Sequence, residues 1–516
     1  MTDNKYDRQL RLWGAAGQAA LGNTCVVLIR ATAAGTETLK NLVLPGIGSF
    51  LVVDDSSGVS DCTSNFFLES NSNKSRAQMA TEYLMELNPD VTGDWKDIAG
   101  GLVAEKFDLL QFFPDKKKVL VIAADCEPPL RQAIAQTCWD QNVPMIAVHS
   151  YGLVGVVQIQ TAPLLLLEPK MRDSVPDLRL MCPFPALQQA FEEKYAGDAV
   201  WAGLSSQEFG QVPYPFILLF VKKKWKESHT GGLPTSFAEK QEFQAEIKKM
   251  ARNYDNELNF QQAVENAYLA YTSPKTVDID YLLSACNSER DLVLLRALQS
   301  FLQQHGGVPP VVGKIPDMAA STTEYVKLQE LYQQQAKKDF DCVRANCTGA
   351  ISVTDDEVSL LCQNAVHLDW LQTGPLPTFL GYHPTEDVVN DLGASEQDEE
   401  RPEQTALWWY LGFAACQMFW EREKRYPGVN DDFEKDIPRL VECWECVKTA
   451  YGLFLEDTRI CKEMARFGNA EVHNIASVVG GVASQEAVKL ITGQYIPIKN
   501  TYVFNGISSM GGVYQF

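Results

Sequence analysis

Short β-branched runs alternate with helix-periodic segments between residues 25 and 148. A run at 25–29 precedes a helical segment at 36–44, and a second run at 50–53 follows. Parallel strands require a crossover connection, usually a helix, so this alternation predicts a parallel sheet flanked by helices. The pattern recurs with helices at 76–87 and from about residue 130, and with strand-like runs at 119–124 and 145–148.

The middle of the chain has a different texture. From about residue 166 to 460, long helical segments rich in Gln, Glu, Leu and Ala dominate, for example at 240–250, 292–304 and 324–338. The last part has a helical stripe, in which Gly480 and Gly481 would let another element approach, and β-like runs at 495–498 and 501–504. We therefore predict a sheet domain at 1–165, an inserted helical domain at 166–460 and the rest of the sheet domain at 461–516.

The composition excludes several classes of protein. Hydrophobic residues make up 46% and charged residues 22%, as in globular proteins, while a net charge of −21 disfavours nucleic acid as a partner. No segment reaches the ~20 apolar residues of a membrane span. The N-terminal residues have no secretory apolar region, and the thirteen cysteines are scattered singly. We expect a protein with reduced thiols in the cytoplasm, the nucleus or both.

Two charged segments stand out. Lys222, Lys223, Lys224 and Lys226 follow an apolar run at 216–221 of buried-strand length, and we interpret them as a solvated strand end. The stretch 386–404 lacks apolar periodicity and is rich in acidic residues, which predicts a mobile acidic loop.

The histidines and cysteines give no metal or catalytic pattern. Six dispersed histidines form no HExxH motif, and the single Cys-x-x-Cys pair, Cys443 and Cys446, favours a helical turn over a zinc site. Cys182, beside Pro183, is more typical of packing than of a nucleophile. We predict no metal ligand and no cysteine nucleophile in this chain.

The loop after the first strand lacks most of the glycines of a phosphate-binding loop. Such a loop needs glycine so that backbone N–H groups and the helix N-terminus can approach a phosphate. Here Ala31, Ala33 and Ala34 precede a single Gly35, whereas Asp54 ends the next strand, where a ribose-binding carboxylate belongs. The sequence favours a degenerate nucleotide site over a live one, with no cofactor bound by this chain.

An N-terminal helix presents an arginine. Tyr6, Leu10 and Trp13 recur at helical spacing and would anchor this helix, turning Arg8 away from the anchored stripe. A guanidinium binds phosphate oxygens with paired, charge-assisted hydrogen bonds. Arg8 could therefore bind a phosphate, but the residues alone favour an exposed arginine on a surface helix.

Several long motifs together indicate a family. Residues 5–14 (KYDRQLRLWG), 39–48 (LKNLVLPGIG) and 150–155 (SYGLVG) closely resemble the adenylation domains of ubiquitin-like activating enzymes. Residues 315–318, 425–429 and 480–489 resemble the regulatory subunits of neddylation-activating enzymes, the auxin-resistance type in plants. The resemblance covers essentially the whole chain. It implies a Rossmann-like α/β pseudo-adenylation domain of the ThiF/MoeB type, split by a mainly helical insertion without a catalytic cysteine.

The resemblance also implies partners. A catalytic subunit would hold ATP and magnesium, adenylate the C-terminal glycine of the modifier and capture it as a thioester, with a conjugating enzyme bound transiently. Arg8 matches the family arginine that reaches into the partner's ATP site. By the same likeness, the helix carrying Tyr325, Lys327, Leu328 and Tyr332 is expected to face the partner.

Departures from the active pattern agree with a non-catalytic role. Where active members have a glycine-rich loop, a second aspartate, Asn-Arg-Gln-Phe and a lysine, this sequence has 31–34, Ser56, 64–67 and Arg76. Asp125 resembles the family's magnesium-binding aspartate, but its spacing to Arg131 is off by one, so we assign it no metal.

Three alternatives remain open at this point. A nicotinamide-dependent oxidoreductase would need the glycines that the loop lacks. The regulatory subunit of the SUMO-activating enzyme begins with a similar helix but retains more glycines and lacks the long helical insertion. A pure scaffold would bind the partner without contributing Arg8 to the chemistry.

Overall fold

The structure is a computed structural model with two compact units. One contains residues 1–164 and 371–516, and the other contains 165–370. The described residues are 5–55, 64–70, 72–113, 118–169, 176–230, 232–273, 277–286, 288–349, 351–376, 388, 390, 392, 405–429, 433–453 and 458–516. Ser56 and, apart from residues 388, 390 and 392, the predicted acidic loop lie outside this part of the chain.

An eight-stranded sheet organises the first unit, in the order β10-β9-β6-β5-β4-β1-β2-β3. The five strands β3-β2-β1-β4-β5 are parallel, and β6, β9 and β10 continue the sheet antiparallel. β7 and β8 pair separately. The strands are β1 Thr24–Ile29, β2 Ser49–Asp54, β3 Thr92–Asp97, β4 Lys118–Ala124, β5 Met145–Tyr151, β6 Val154–Gln160, β7 Leu164–Leu166, β8 Asp369–Leu371, β9 Thr501–Asn505 and β10 Met510–Tyr514.

The helices follow the same division. The first unit contains α1 Asp7–Gly22, α2 Ala33–Val43, α3 Arg76–Leu87 and α4 Pro128–Asp140. The second contains α5 Pro185–Lys194, α6 Asp198–Gly203, α7 Ser206–Phe209, α8 Tyr214–Ser228, α9 Phe237–Met250, α10 Leu258–Glu265, α11 Ile279–Ala285, α12 Glu289–Gln304, α13 Thr322–Asn346 and α14 Asp355–Asn364. The first unit resumes with α15 Ala406–Glu423, α16 Phe433–Tyr451, α17 Arg459–Phe467 and α18 His473–Thr492. No helix in the described ranges is long and apolar enough to cross a membrane.

Helices cover both faces of the sheet. Val27 and Ile29 of β1 cluster with Leu130 and Ile134 of α4. Because side chains alternate along a strand, Leu28 faces the other way, and there it lies against α2 at Gly35. This helix-flanked, mostly parallel sheet confirms the predicted α/β fold class.

The inserted region ends earlier than predicted. The helices α15 and α16 lie before residue 460 but belong to the sheet unit. Their apolar side chains, among them Trp408 and Trp444, share one core cluster with Val154 and Val156 of β6 and Val503 of β9. The expected boundary near 460 is therefore wrong, since helical texture does not reveal which core a helix packs into; the unit boundary lies at 370.

Two local predictions were also wrong. The apolar run at 216–221 lies inside α8, because Pro215 occupies the first helical turn, where proline is tolerated, and the following lysines continue the helix. The β-like run at 495–498 is not a strand, whereas β3 was missed because its sequence, TGDWKD, is polar and mostly exposed.

Candidate functional site

The loop between β1 and α2 is buried, and one of its own side chains caps the first turn of the helix. Thr32 caps α2 by accepting a hydrogen bond from the Gly35 N–H at 3.3 Å, and residues 31–39 are buried. A Cβ on Gly35 would lie 2.8 Å from the Ala124 Cβ and 2.9 Å from the Arg30 carbonyl oxygen. Gly35 is thus retained where close packing demands it, while Ala31, Ala33 and Ala34 carry side chains where a phosphate-binding loop needs none.

A carboxylate of the same chain occupies the N-terminus of α2. The Ala33 N–H donates to Glu471 Oε2 at 2.9 Å, although 438 positions separate the two residues. Free N–H groups and the helix dipole make such an N-terminus a binding place for anions. Glu471, just before α18, supplies the carboxylate at this helix N-terminus.

The aspartate at the end of β2 is also engaged internally. Asp54 is 1% exposed; its Oδ2 accepts from the Ala31 N–H at 2.9 Å and its Oδ1 from the Asp55 N–H at 2.7 Å. Arg76 Nε lies 3.6 Å from Asp54 Oδ2. The carboxylate of Asp54 therefore holds the loop between β1 and α2 in place through its hydrogen bond with the Ala31 N–H.

The segments aligned with active-site motifs hold the same loop. Asn65 Nδ2 donates to the Ala31 carbonyl oxygen at 3.0 Å, and an Arg76 guanidinium nitrogen donates to that oxygen at 3.0 Å. Asn65 Oδ1 in turn accepts from the Phe67 N–H at 3.0 Å and the Thr36 hydroxyl at 3.2 Å. The polar side chains of Asn65 and Arg76 are therefore hydrogen-bonded to the backbone of the loop between β1 and α2.

Asp125 lies buried at the end of β4. Its Oδ1 accepts from the Ser150 N–H at 2.7 Å, and burial together with the negative charge of Glu471 raises the pKa of Asp125 to about 7. In the described ranges, no three His, Cys, Asp or Glu side chains cluster closely enough to hold a metal ion.

Arg8 lies on an anchored helix and points into solvent. The Tyr6 hydroxyl donates to Asp90 Oδ2 at 2.9 Å, and Gln494 donates to the Trp13 carbonyl oxygen at 2.9 Å. Tyr6, Leu10 and Trp13 are half-buried, as the helical spacing predicts, whereas Arg8 is exposed and forms no ion pair with any described residue. Arg11, one turn on, pairs with Asp7 at 2.8 Å.

The predicted partner-facing set is partly wrong. Leu328 and Tyr332 are each 1% exposed and belong to the core of the helical unit. The Tyr332 hydroxyl donates to the Leu178 carbonyl oxygen at 2.5 Å. Every third or fourth residue of α13 turns inward, so these two cannot contact a partner. Tyr325 is half-buried, and Lys327 remains exposed beside Glu324.

The structure shows where the cysteines noted in the sequence lie. Cys443 is buried and Cys446 is exposed, and both lie on α16, as the prediction of a helical turn requires. Cys182 is exposed, so the packing role that its sequence context favoured is wrong.

Glu471 is a residue near the loop at 31–36 that the sequence did not reveal. It follows no motif, and its distance along the chain from Ala33 gives no spacing signal; only the folded sheet unit brings them together.

Comparison with known proteins gives the same family. A model of the ThiF family matches residues 6–513. The chain is 33% identical to the "NEDD8-activating enzyme E1 regulatory subunit" of Xenopus laevis, over 99% of this chain and 98% of that protein. It is 32% identical to the "NEDD8-activating enzyme E1 regulatory subunit AXR1" of Arabidopsis thaliana, over 98% of this chain and 94% of that protein.

Among solved structures, Escherichia coli MccB covers 30% of this chain and 48% of its own, with 17% identity and a TM-score of 0.27, which is too low to add to the assignment. The full-length relatives match the chain from end to end, as the motifs at both of its ends predict. The chain therefore belongs to the ThiF family and, within it, to the regulatory subunits of the NEDD8-activating E1 enzyme.

Proposed function

We propose that this chain is the non-catalytic half of a heterodimer that activates the ubiquitin-like modifier NEDD8. Its relatives are named as regulatory subunits of that enzyme. In this role the chain supports ATP-dependent adenylation of the modifier's C-terminus and its capture as a thioester on a catalytic partner subunit. ATP and magnesium then belong to the partner, and a conjugating enzyme binds transiently.

The observation that carries this proposal is the occupied N-terminus of α2. Glu471 accepts the Ala33 N–H that a phosphate would need, at 2.9 Å, and Asp54 accepts the Ala31 N–H at 2.9 Å. A triphosphate brought to this loop would meet two carboxylates and three alanine side chains. Two like charges about 4 Å apart in a partly buried site repel each other by about 4 kcal/mol. The chain alone is therefore not expected to adenylate the modifier.

The residue proposed to act on the reaction is Arg8. Its helix is pinned by Tyr6 and Trp13, so the guanidinium is presented from a fixed base. A guanidinium supplied across an interface stabilises the negative charge that develops on a phosphate during adenylyl transfer. Arg8 thus acts in trans at the partner's ATP site, and the partner supplies the groups that hold the nucleotide.

The test measures ATP–pyrophosphate exchange that depends on the modifier. The samples are the chain alone, the chain with its catalytic partner, and heterodimers containing Arg8→Ala or Arg11→Ala. Arg11→Ala is the matched control because it removes an exposed arginine from the same helix. We expect exchange only with the partner, a loss of roughly tenfold to a hundredfold for Arg8→Ala, and little change for Arg11→Ala.

Heterodimer assembly is checked by gel filtration for each variant. An assembled Arg8→Ala complex with normal exchange would favour the pure scaffold and contradict the trans-acting arginine. Turnover by the lone chain would mean that the loop does bind nucleotide, and the non-catalytic assignment would fail.

A further inference from the structure

An open cavity lies between α5 and α8 in the helical unit, well away in sequence from the loop at 31–36. Its volume is about 610 Å³. Part of its wall is apolar, formed by the side chains of Met181, Pro183, Phe191 and Leu219. The remaining wall is mostly charged and includes Lys222, Lys223 and Lys226 of α8.

These three lysines have no carboxylate partner among the described residues. Lys222 is 6% exposed, and its ammonium donates to the carbonyl oxygens of Leu180 and Met181, each at 2.6 Å. Lys223 donates to the Ala196 carbonyl oxygen at 2.9 Å. Carbonyl oxygens satisfy donors but leave the positive charge in place. Their neighbour Lys224 differs, since it pairs with Asp198 at 2.6 Å.

The charge in the cavity is therefore under-compensated. Burial and the positive charge of Lys226 lower the pKa of Lys222 to about 8, so an anion nearby would favour its charged form. Two glutamates also line the cavity, so its three lysines leave one formal positive charge that no lining carboxylate balances. Glu192 accepts from Gln188 at 2.6 Å, and Glu227 lies 3.7 Å from Lys224.

We propose that this cavity binds an acidic segment of a partner protein in which carboxylates flank an apolar side chain. The lysines would pair with the carboxylates, and the half-buried side chains of Met181 and Pro183 would cover the apolar side chain. An inorganic anion would fill only a small part of a cavity of about 610 Å³ and would leave that wall exposed. Because the chain has a net charge of −21, most of its surface repels an acidic ligand, and a local basic site would direct such a ligand to this cavity. This inference does not depend on the activity proposed above.

The test is a fluorescence-anisotropy titration of the full-length chain with a labelled peptide. The probe has the sequence Glu-Asp-Phe-Glu-Asp, and a matched neutral peptide, Gln-Asn-Phe-Gln-Asn, controls for the apolar contact. The variant Lys223→Gln/Lys226→Gln removes two exposed lysines of the cavity. The variant Lys337→Gln/Lys338→Gln removes the same charge from the exposed side of α13.

We expect binding of the acidic peptide, a loss of roughly tenfold in affinity for the cavity variant, and unchanged affinity for the α13 variant. Three outcomes would overturn the proposal: no binding of the acidic peptide, the same loss in both variants, or equal binding of the neutral peptide. Displacement of the peptide by inorganic phosphate at a concentration no higher than that of the unlabelled peptide would also overturn it, because the ligand would then be a simple anion.

Discussion

At the level of single residues, two carboxylates accept hydrogen bonds from backbone N–H groups of the loop between β1 and α2. The Asp54 carboxylate accepts the Ala31 N–H, and Glu471 accepts the Ala33 N–H, each at 2.9 Å. An alanine-bearing loop would otherwise leave buried N–H groups without partners, which costs about 1–3 kcal/mol each. The replacement of glycine and the capture of acidic side chains are therefore two parts of one structural solution.

Asp125 gives a pH-dependent prediction at this scale. Its pKa rises from 3.8 to about 7 because of burial and the charge of Glu471. The folded protein thus binds a proton that the unfolded chain releases, and the free energy of unfolding contributed by this group falls as pH rises from about 4 to 7. Asp125→Asn imitates the protonated acid. Relative to the parent chain, it should gain about 1 kcal/mol or more between pH 4 and pH 8, measured by urea unfolding.

Asp436 supplies a control of opposite sign. Arg425 donates to both of its oxygens, at 2.5 and 2.8 Å, and the Gly428 N–H donates at 2.9 Å. The hydrogen bonds with Arg425 lower the pKa of Asp436 below 3.8, so its contribution is present above that value and lost as pH falls through the lowered pKa. Asp436→Asn should therefore cost more stability at pH 7 than at pH 3. The same pH trend for both variants would contradict the assignment for Asp125.

At the scale of elements, α2 and α18 pack unusually closely through one glycine. A Cβ on Gly480 would lie 2.8 Å from the Glu37 Cβ and 3.0 Å from the Thr38 backbone nitrogen. Gly481, the next residue, has nothing within 4 Å of such a Cβ. The sequence predicted that this glycine pair admits a neighbouring element, and the structure assigns that role to Gly480 alone. This close approach also places Glu471, just before α18, at the N-terminus of α2.

The pair gives a matched test. Gly480→Ala should destabilise the sheet unit by about 1–3 kcal/mol, because backbone atoms of α2 must move to admit the methyl group. Gly481→Ala should stabilise α18 by up to about 1 kcal/mol, since alanine favours helix and the position is open. Thermal unfolding of the two variants beside the parent chain measures both effects. Equal effects of the two substitutions would show that helix propensity, and not the contact with α2, determines the result.

At the scale of the whole molecule, the balance of charge is strongly negative. The chain has 66 acidic residues against 45 basic residues. Exposed ion pairs such as Arg11–Asp7 contribute about 0–1 kcal/mol each and weaken with salt, whereas the excess negative charge repels itself over longer distances. Because salt screens long-range repulsion most effectively, the second effect should dominate at low ionic strength.

This balance predicts the response to salt. Raising sodium chloride from about 0.01 to 0.15 M should increase the unfolding midpoint by roughly 2 °C or more, measured by scanning calorimetry. A parallel series with an uncharged osmolyte separates charge screening from general exclusion of cosolute. A midpoint that falls with salt would show that local ion pairs outweigh the net repulsion.

Local patterns in the sequence were enough to locate many of the elements and to identify the family. Helical periodicity placed α3 at 76–87, where the structure has Arg76–Leu87, and strand-like runs located β1, β2, β4, β5 and β9 to within a few residues. Loss of glycine at 31–34 and the spacing around Arg8 are also local patterns. Local patterns are readable because propensity and hydrophobic period act over a few neighbouring residues.

The packing partner of each element became visible only in the folded chain. α15 and α16 look like part of the helical insertion but join the core of the sheet unit. Leu328 and Tyr332 proved to be core residues, and the Ala33–Glu471 hydrogen bond joins residues 438 positions apart. Contacts of this kind depend on the complete three-dimensional arrangement of helices and strands, and no local hydrophobic period encodes them.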